Sequence, residues 1–294
     1  MEPLSKITIS SNGNYREVKS LQQVVDCFLT ILKQHDTISA LYCFGKRITQ
    51  SSKQSFIFNS YKRKDIYEFD LLLITKELPI NATANLMDLV KKETHEEIVI
   101  NLICHTPKQI ATSSNIHRHF FASAIQLGWL VYGKPYELAL LKLTNLPELD
   151  IKAITSYTQT RLKIAAYFLS SAAPVFKEPL LAAYYLHTSI EQYCLGLLYA
   201  FIGYHPNHFH IRYMLALCNH FTKIPRETFL QNTANGKELL SLLSTSYHDL
   251  RFKSLERYRE ANIETLYNTS LEFKTKIIPV IQEQLKNLAI QKNN

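Results

Sequence analysis

The chain has 294 residues, long enough for two ordinary domains, with 46% hydrophobic and 20% charged residues. That balance excludes a disordered chain and supplies apolar material for real cores. Only 7 glycines are present, which argues against a turn-rich all-β fold and against glycine-rich phosphate loops. The net charge of +8 permits a polyanionic partner without identifying one.

From the N-terminus, the first residues lack the apolar core of a signal peptide. Ser20 to Gln23 fits a capping box. Leu21, Val24, Val25, Phe28 and Leu32 then recur at helical spacing to about His35. Ala40–Phe44 is a short apolar run ending at Gly45 and reads as a buried strand followed by a turn. Tyr67–Thr75 and Glu97–His105 are two more such strands. Ser55–Tyr61 is also strand-like, and a turn at Lys62–Asp65 would pair it with the strand that follows. The basic run Lys62, Arg63, Lys64 then reads as a solvated turn. Thr112–Gln126 reads as one helix leading into Gly128–Gly133. Near Leu141–Asp150 the pattern loosens around Pro147, and the domain junction is placed there.

Beyond Asp150 the strand signals stop. Helices are expected over Asp150–Ser171, Pro179–Ile202 (closed by Gly203 at the C-cap), His210–Phe221, Lys237–Ala261 and Glu264–Ala289. The expected architecture is an α+β domain over 1–140, a small mixed sheet flanked by helices, followed by an all-α bundle over 150–294. Cys27, Cys43, Cys104, Cys194 and Cys218 contain no CxxC pair. An odd, scattered set points to reduced, buried thiols and a cytoplasmic protein. The most apolar stretch, Leu180–Phe201, carries His187 and Glu191, which argues against a membrane span.

Two constellations carry chemistry. Glu68 and Asp70 are spaced i, i+2 on a strand, so both point to one face and can share metal ions. Gly45 ends the strand before them, and Asn101 sits within the strand after them. This layout resembles the DNA polymerase beta-like nucleotidyltransferase superfamily in its small bacterial form. That pattern runs strand, Gly-Ser, Asp-x-Asp on a second strand, and a third Asp on a third strand. Gly45 and Asp70 match. Lys46 stands in place of Ser, Glu68 in place of the first Asp, and Asn101 at the third Asp position. The resemblance implies Glu68, Asp70 and Asn101 as catalytic residues, Glu68 and Asp70 as ligands of Mg²⁺, and Gly45 with Lys46 as phosphate contacts. The departures weaken it: Asn101 brings no negative charge to a hard cation, and Lys46 would place a competing cation beside the site. Both an active transferase and a retained fold with lost chemistry are open at this point, as is Glu68 as a simple strand-start acid.

In the second half, Ala183, His187, Ile190 and Cys194 share a helix face, with Glu191 four residues after His187. Tyr247, His248 and Arg251 follow within little more than a turn of a later helix. His187 reads either as a satisfied core histidine or as part of a cleft, and Glu191 and Arg251 can pair with each other. The run Ala182–Glu191, the helix start at His210, and Tyr247–Phe252 resemble the HEPN family (higher eukaryotes and prokaryotes nucleotide-binding). The resemblance covers about Asp150 to the C-terminus. It implies His187, Glu191, His210, Tyr247 and Arg251 as nucleotide contacts and a homodimer formed through the bundle. No His follows His248 at the spacing of the family's usual Arg/His pair, so RNA cleavage is not expected. His205, His208 and His210 match no known zinc spacing. His117, Arg118 and His119 are expected to be solvated on a helix. The functional expectation is a nucleotide- or RNA-binding protein with an inactive transferase-like half. The alternatives are an active nucleotidyltransferase modifying RNA, protein or a small molecule, and a dimeric scaffold.

Overall fold

The computed structural model describes residues 21–35, 38–55, 60–77, 82–206, 210–229, 233–252 and 258–293, with the backbone alone described at 35, 50–55, 60–64, 82, 84, 246–252, 260 and 291–293. Ser20, and with it the expected capping box, lies outside them, as does His208. Helix α1 (Leu21–His35) leads into β1 (Ile38–Ser55) and β2 (Ser60–Thr75), which pair antiparallel over their full length. Helix α2 (Ala82–Glu93) carries the chain back to β3 (Ile98–His105), which runs parallel to β2. Helices α3 (Pro107–Thr112) and α4 (Asn115–Gln126) precede β4 (Trp129–Gly133), antiparallel to β1. The result is a mixed four-stranded sheet in the order β3-β2-β1-β4.

Period-2 alternation divides the sheet into two apolar faces. Leu41, Cys43, Phe69, Leu71, Ile100 and Leu102 pack under α1 and α2. Ala40, Tyr42, Leu72, Ile74 and Ile103 pack under α4 together with Leu141, Leu143 and Tyr204. Leu141 and Leu143 are buried, so the expected junction segment is anchored to the sheet rather than free of it.

The helical half follows: α5 (Ile151–Ala172), a 3-10 turn, α6 (Pro179–Ile202), α7 (Ile211–Cys218), α8 (Ile224–Thr228), α9 (Ala234–Phe252) and α10 (Glu260–Asn293). Asp150 caps α5 by accepting the Ala153 N–H at 2.9 Å. Helix α6 starts with Pro179 and ends at Gly203, whose φ of 60° is the left-handed conformation that closes a helix cheaply only with glycine. Leu186, Ile190, Tyr193, Leu197 and Leu198 of α6 are all fully buried, so α6 is the central helix and α5, α7, α9 and α10 pack around it. Each such side chain contributes about 1.5–3 kcal/mol by burial. Among the described residues no helix is long and apolar enough to cross a membrane.

Several expectations need correction. Gly45 ends no strand: β1 runs ten residues further, because the polar stretch after it pairs with β2. The backbone turn expected there to meet a phosphate is therefore absent. Lys62–Asp65 lies inside β2, and the hairpin connection falls at 56–59, outside the described residues. The helix expected from Thr112 to Gln126 is present as α4 but starts at Asn115, where Ser114 supplies the N-cap; the separate short α3 before it, capped by Thr106, was not anticipated. Helix α9 is described to Phe252, and residues 258–259 are not helical, so it falls short of Ala261. Helices α2 and α8 were not anticipated. All five cysteines are free thiols, four of them buried and Cys27 half-buried.

Candidate functional site

Strand pairing brings Gly45, Glu68, Asp70 and Asn101 together. Asp70 stands opposite Gly45 on one side and Asn101 on the other, while Glu68 stands opposite Arg47. A bulge sets the β1 side of this register: Cys43 faces Leu71 and Gly45 faces Asp70, so Phe44 is the extra residue. Because cross-strand partners share a face, Gly45 and Arg47 lie with the carboxylates. Lys46, opposite Phe69, lies on the α1/α2 face. The cation beside the acids is Arg47, not Lys46.

The carboxylates are occupied by protein groups. Asp70 is 2% exposed. Its Oδ1 accepts from Asn101 Nδ2 at 2.8 Å, and its Oδ2 from His220 Nδ1 at 2.8 Å. His220 follows α7 in the helical half, 150 residues away in sequence. Its backbone N–H donates to the Leu217 carbonyl, and its ring stands edge-on to Phe44 and Phe221. Gly45 makes room for it: a Cβ there would overlap the His220 ring and stand 2.8 Å from Asp70 Oδ2. Glu68 pairs with Arg47 at 3.0 Å and with Arg226 of α8 at 3.5 Å. Arg226 also donates to Thr49 Oγ1 at 3.0 Å, and its backbone N–H to Asn219 Oδ1 at 3.1 Å. Two acids thus meet two guanidiniums and an imidazole.

This donor set does not fit a divalent metal. The Asn101 amide spends its NH₂ on Asp70, the second oxygen of Asp70 is hydrogen-bonded, and two guanidiniums flank Glu68. Hard cations need several unshared oxygen ligands. Among the described residues, no group of three or more His, Cys, Asp or Glu side chains is arranged to hold a metal ion.

A second set of contacts joins the halves beside this one. The Tyr213 hydroxyl donates to the Leu102 carbonyl at 2.9 Å, and His105 Nε2 and the Tyr204 hydroxyl hydrogen-bond at 2.8 Å. His117 packs against Tyr199, Tyr204 and His205 rather than in solvent, while His119 Nε2 donates to the Pro147 carbonyl. Burial pushes the pKa of His105 down to about 4; burial, with His205 and His105 nearby, does the same for His117.

In the bundle, His187 is 8% exposed and its Nδ1 donates to the Leu243 carbonyl of α9 at 2.8 Å. Its Nε2 lies 3.6 Å from Glu191. The core-histidine reading therefore describes its contacts. Glu191 accepts from Gln192, whose own side-chain oxygen accepts from Arg161 Nη1 at 3.0 Å. Arg161 of α5, which lies over Tyr157, is thus linked to Glu191 through Gln192. Helix α9 places Tyr247 one turn and Arg251 two turns beyond Leu243, and the side chains of Tyr247, His248 and Arg251 lie outside the described residues. His210 flanks the start of α7, exposed and without a capping side-chain bond.

Sequence reasoning missed Arg47, His220 and Arg226 as site residues. Arg47 was detectable from its i+2 spacing to Gly45, had the strand been extended past the glycine. No family model, curated protein or solved structure matches the chain, so its own geometry carries the functional reading.

Proposed function

We propose that the chain is a non-catalytic nucleotide- or RNA-binding protein whose transferase-like site has become a structural joint between its two halves. The carrying observation is that both oxygens of Asp70 are hydrogen-bonded, by Asn101 and His220, while Glu68 is paired with Arg47 and Arg226. Nucleotidyl transfer needs metal ions to clamp the attacking oxygen and the leaving phosphate. Here basic and amide groups of the chain itself take the positions those ions would need.

The likeness to a nucleotidyltransferase is supported by the adjacency of β1, β2 and β3 and by positions 45, 68, 70 and 101 meeting across them. The HEPN-like reading of the second half is supported by a bundle built around α6, with His187 bonded to α9 and Glu191 beside it. The net charge of +8 favours an anionic ligand.

Incubation with labelled nucleoside triphosphates, Mg²⁺ or Mn²⁺, and RNA or protein acceptors tests this reading. The expected result is retention of RNA without incorporation of label. Label transfer that disappears in Asp70→Ala would overturn it.

A further inference from the structure

Arg161 stands on the face of α5 that packs against α6, with its Cβ close to Gly196. Its Nη1 donates to Gln192 Oε1 at 3.0 Å, and its guanidinium carbon lies 4.7 Å from the centre of the Tyr157 ring. The other edge of the guanidinium, Nε with Nη2, is unspent. Nε is buried without an acceptor, and Nη2 meets none among the described residues. Two acids lie in the vicinity and both are engaged elsewhere. Glu191 accepts from Gln192 and stands 3.6 Å from His187. Asp150, whose charge reaches Tyr199, caps α5. One turn before Arg161 on the same helix face, Thr158 is fully buried with its hydroxyl unpartnered. A half-buried cation without a counter-ion, beside two unmet polar atoms, is a costly arrangement for a protein to keep.

We infer that the Nε/Nη2 edge of Arg161 is the phosphate fork of a nucleotide site at the corner where α4, α5 and the end of α6 meet; the inference rests on the nucleotide- or RNA-binding reading above and gives it residues. Along that edge a guanidinium presents two parallel N–H groups, which match two oxygens of a phosphate. The fork is set among rings. Tyr157 and Tyr199 stack at 3.9 Å, and the His205 ring lies within 17° of parallel to both. His117 of α4 closes the corner, edge-on to His205 at 4.4 Å. Tyr157, Arg161, His117 and His205 are half-buried, so the corner is a partly covered surface rather than a sealed core. Its electrostatics favour an anion. Burial lowers the pKa of His205, with the Arg161 charge adding to it, and burial, His205 and His105 lower that of His117. A phosphate on the fork offsets the Arg161 charge. A ligand whose anion adjoins an aromatic base suits a fork flanked by rings, because every base has a face that stacks. The corner shares no residue with the Asp70 site.

The test titrates the full chain with inorganic phosphate, adenosine monophosphate and labelled oligoadenylate. Binding is followed by the NMR signals of the histidine rings for all three and by fluorescence anisotropy for the oligomer. The His205 and His117 signals should move with ligand, and the His187 signal should not. This readout needs no variant, so it holds whether or not a substitution disturbs the bundle. Arg161→Gln should bind about ten- to hundredfold more weakly, the effect of one charge-assisted contact. The slope of log K against log salt for the oligomer should fall by about 0.7. Arg161→Lys should not restore affinity, because lysine has no fork. Lys163→Gln, which removes an equal charge from the exposed side of α5, should stay within about twofold of the parent. Response to adenosine monophosphate marks a free nucleotide as the source of the phosphate, and response to oligoadenylate alone marks an RNA chain. Inorganic phosphate binding as tightly as either overturns the nucleotide assignment. If oligoadenylate binds while the His205 and His117 signals stay still, or Arg161→Gln binds as the parent does, the site is wrong and the proposed function stands. If none of the probes binds, both fail.

Discussion

A methyl group added at Gly45 has nowhere to go. The Cβ of Gly45→Ala would overlap the His220 ring and stand 2.8 Å from Asp70 Oδ2. Asp70 is held by paired strands on both sides, so the ring is the group that must leave. Its departure removes one charge-assisted hydrogen bond, worth about 1.5–3 kcal/mol, and leaves a carboxylate that is 2% exposed with Asn101 as its remaining side-chain partner. Breaking one side of a buried pair costs about 3–5 kcal/mol. Alanine is otherwise slightly favoured over glycine within a strand, by about 0.5–1 kcal/mol. The net expectation is a loss of about 2–4 kcal/mol, a fall in Tm of roughly 3–7 °C for a chain of 294 residues. Urea and thermal unfolding of Gly45→Ala, His220→Ala and the double variant close a thermodynamic cycle. Once His220 is alanine, the added methyl should cost less than about 1 kcal/mol, because its obstacle is gone. Additive effects of the two substitutions, or a Gly45→Ala protein as stable as the parent, would refute the steric account of Gly45.

Three further outcomes follow from the contacts between and within the halves. Arg226→Ala should cost about 1–2 kcal/mol, since this half-buried fork serves Glu68 and Thr49 together; Arg226→Lys should not restore the loss, and hydrogen exchange should rise near Thr49 and across α8. His187→Ala should lower stability by about 2–3 kcal/mol through the lost bond to Leu243 and the cavity left behind, with RNA affinity unchanged at temperatures where the variant is folded. The pKa of His105, about 4 in the folded protein against 6.5 unfolded, means the unfolded chain binds the extra proton. Stability should be full above about pH 6.5, fall by up to about 3 kcal/mol as pH drops toward 4, and level off below that; His105→Gln should flatten part of this slope, and a parent Tm unchanged between neutral pH and pH 5 would contradict it.

How much of this was legible differs by element. The apolar run Leu71–Ile74 and the strand around Asn101 announce themselves because both of their faces are covered. Helix α6 is legible at both ends because Pro179 and Gly203 are residues whose backbone preferences mark helix boundaries. The i, i+2 spacing put Glu68 and Asp70 on one face, whereas Gly45 and Asn101 were joined to them only by the resemblance to the nucleotidyltransferase layout. The assignment of Lys46 to that face failed on one residue: the bulge at Phe44 and the continuation of β1 decide which side chain follows Gly45 onto the carboxylate face. That depends on pairing with β2, which local sequence does not encode. His220 and Arg226 were invisible for a different reason. They reach the sheet from a loop and a five-residue helix, with no periodicity to point them out and 150 residues between His220 and its partner. Helix α9 was overextended because its polar and apolar residues stay helix-compatible up to Ala261, whereas residues 258–259 are not helical.

The hydroxyl of Tyr213 on the Leu102 carbonyl has a consequence for how this protein avoids its own copies. β3 is the outermost strand on its side of the sheet, and Leu102 is buried in its middle. The Leu102 N–H is taken by the Met87 sulfur of α2 at 3.4 Å, and its carbonyl by Tyr213 of α7. An approaching strand from another molecule would find both groups already used, with a helix standing over each. Exposed strand edges are templates for intermolecular ladders, and here that safeguard is split between the two halves of the chain. A partly synthesised chain that has made the sheet but not yet α7 would have Met87 in place and lack Tyr213. Aggregation during synthesis, rather than loss of the finished fold, is where the absence of the tyrosine would be felt first.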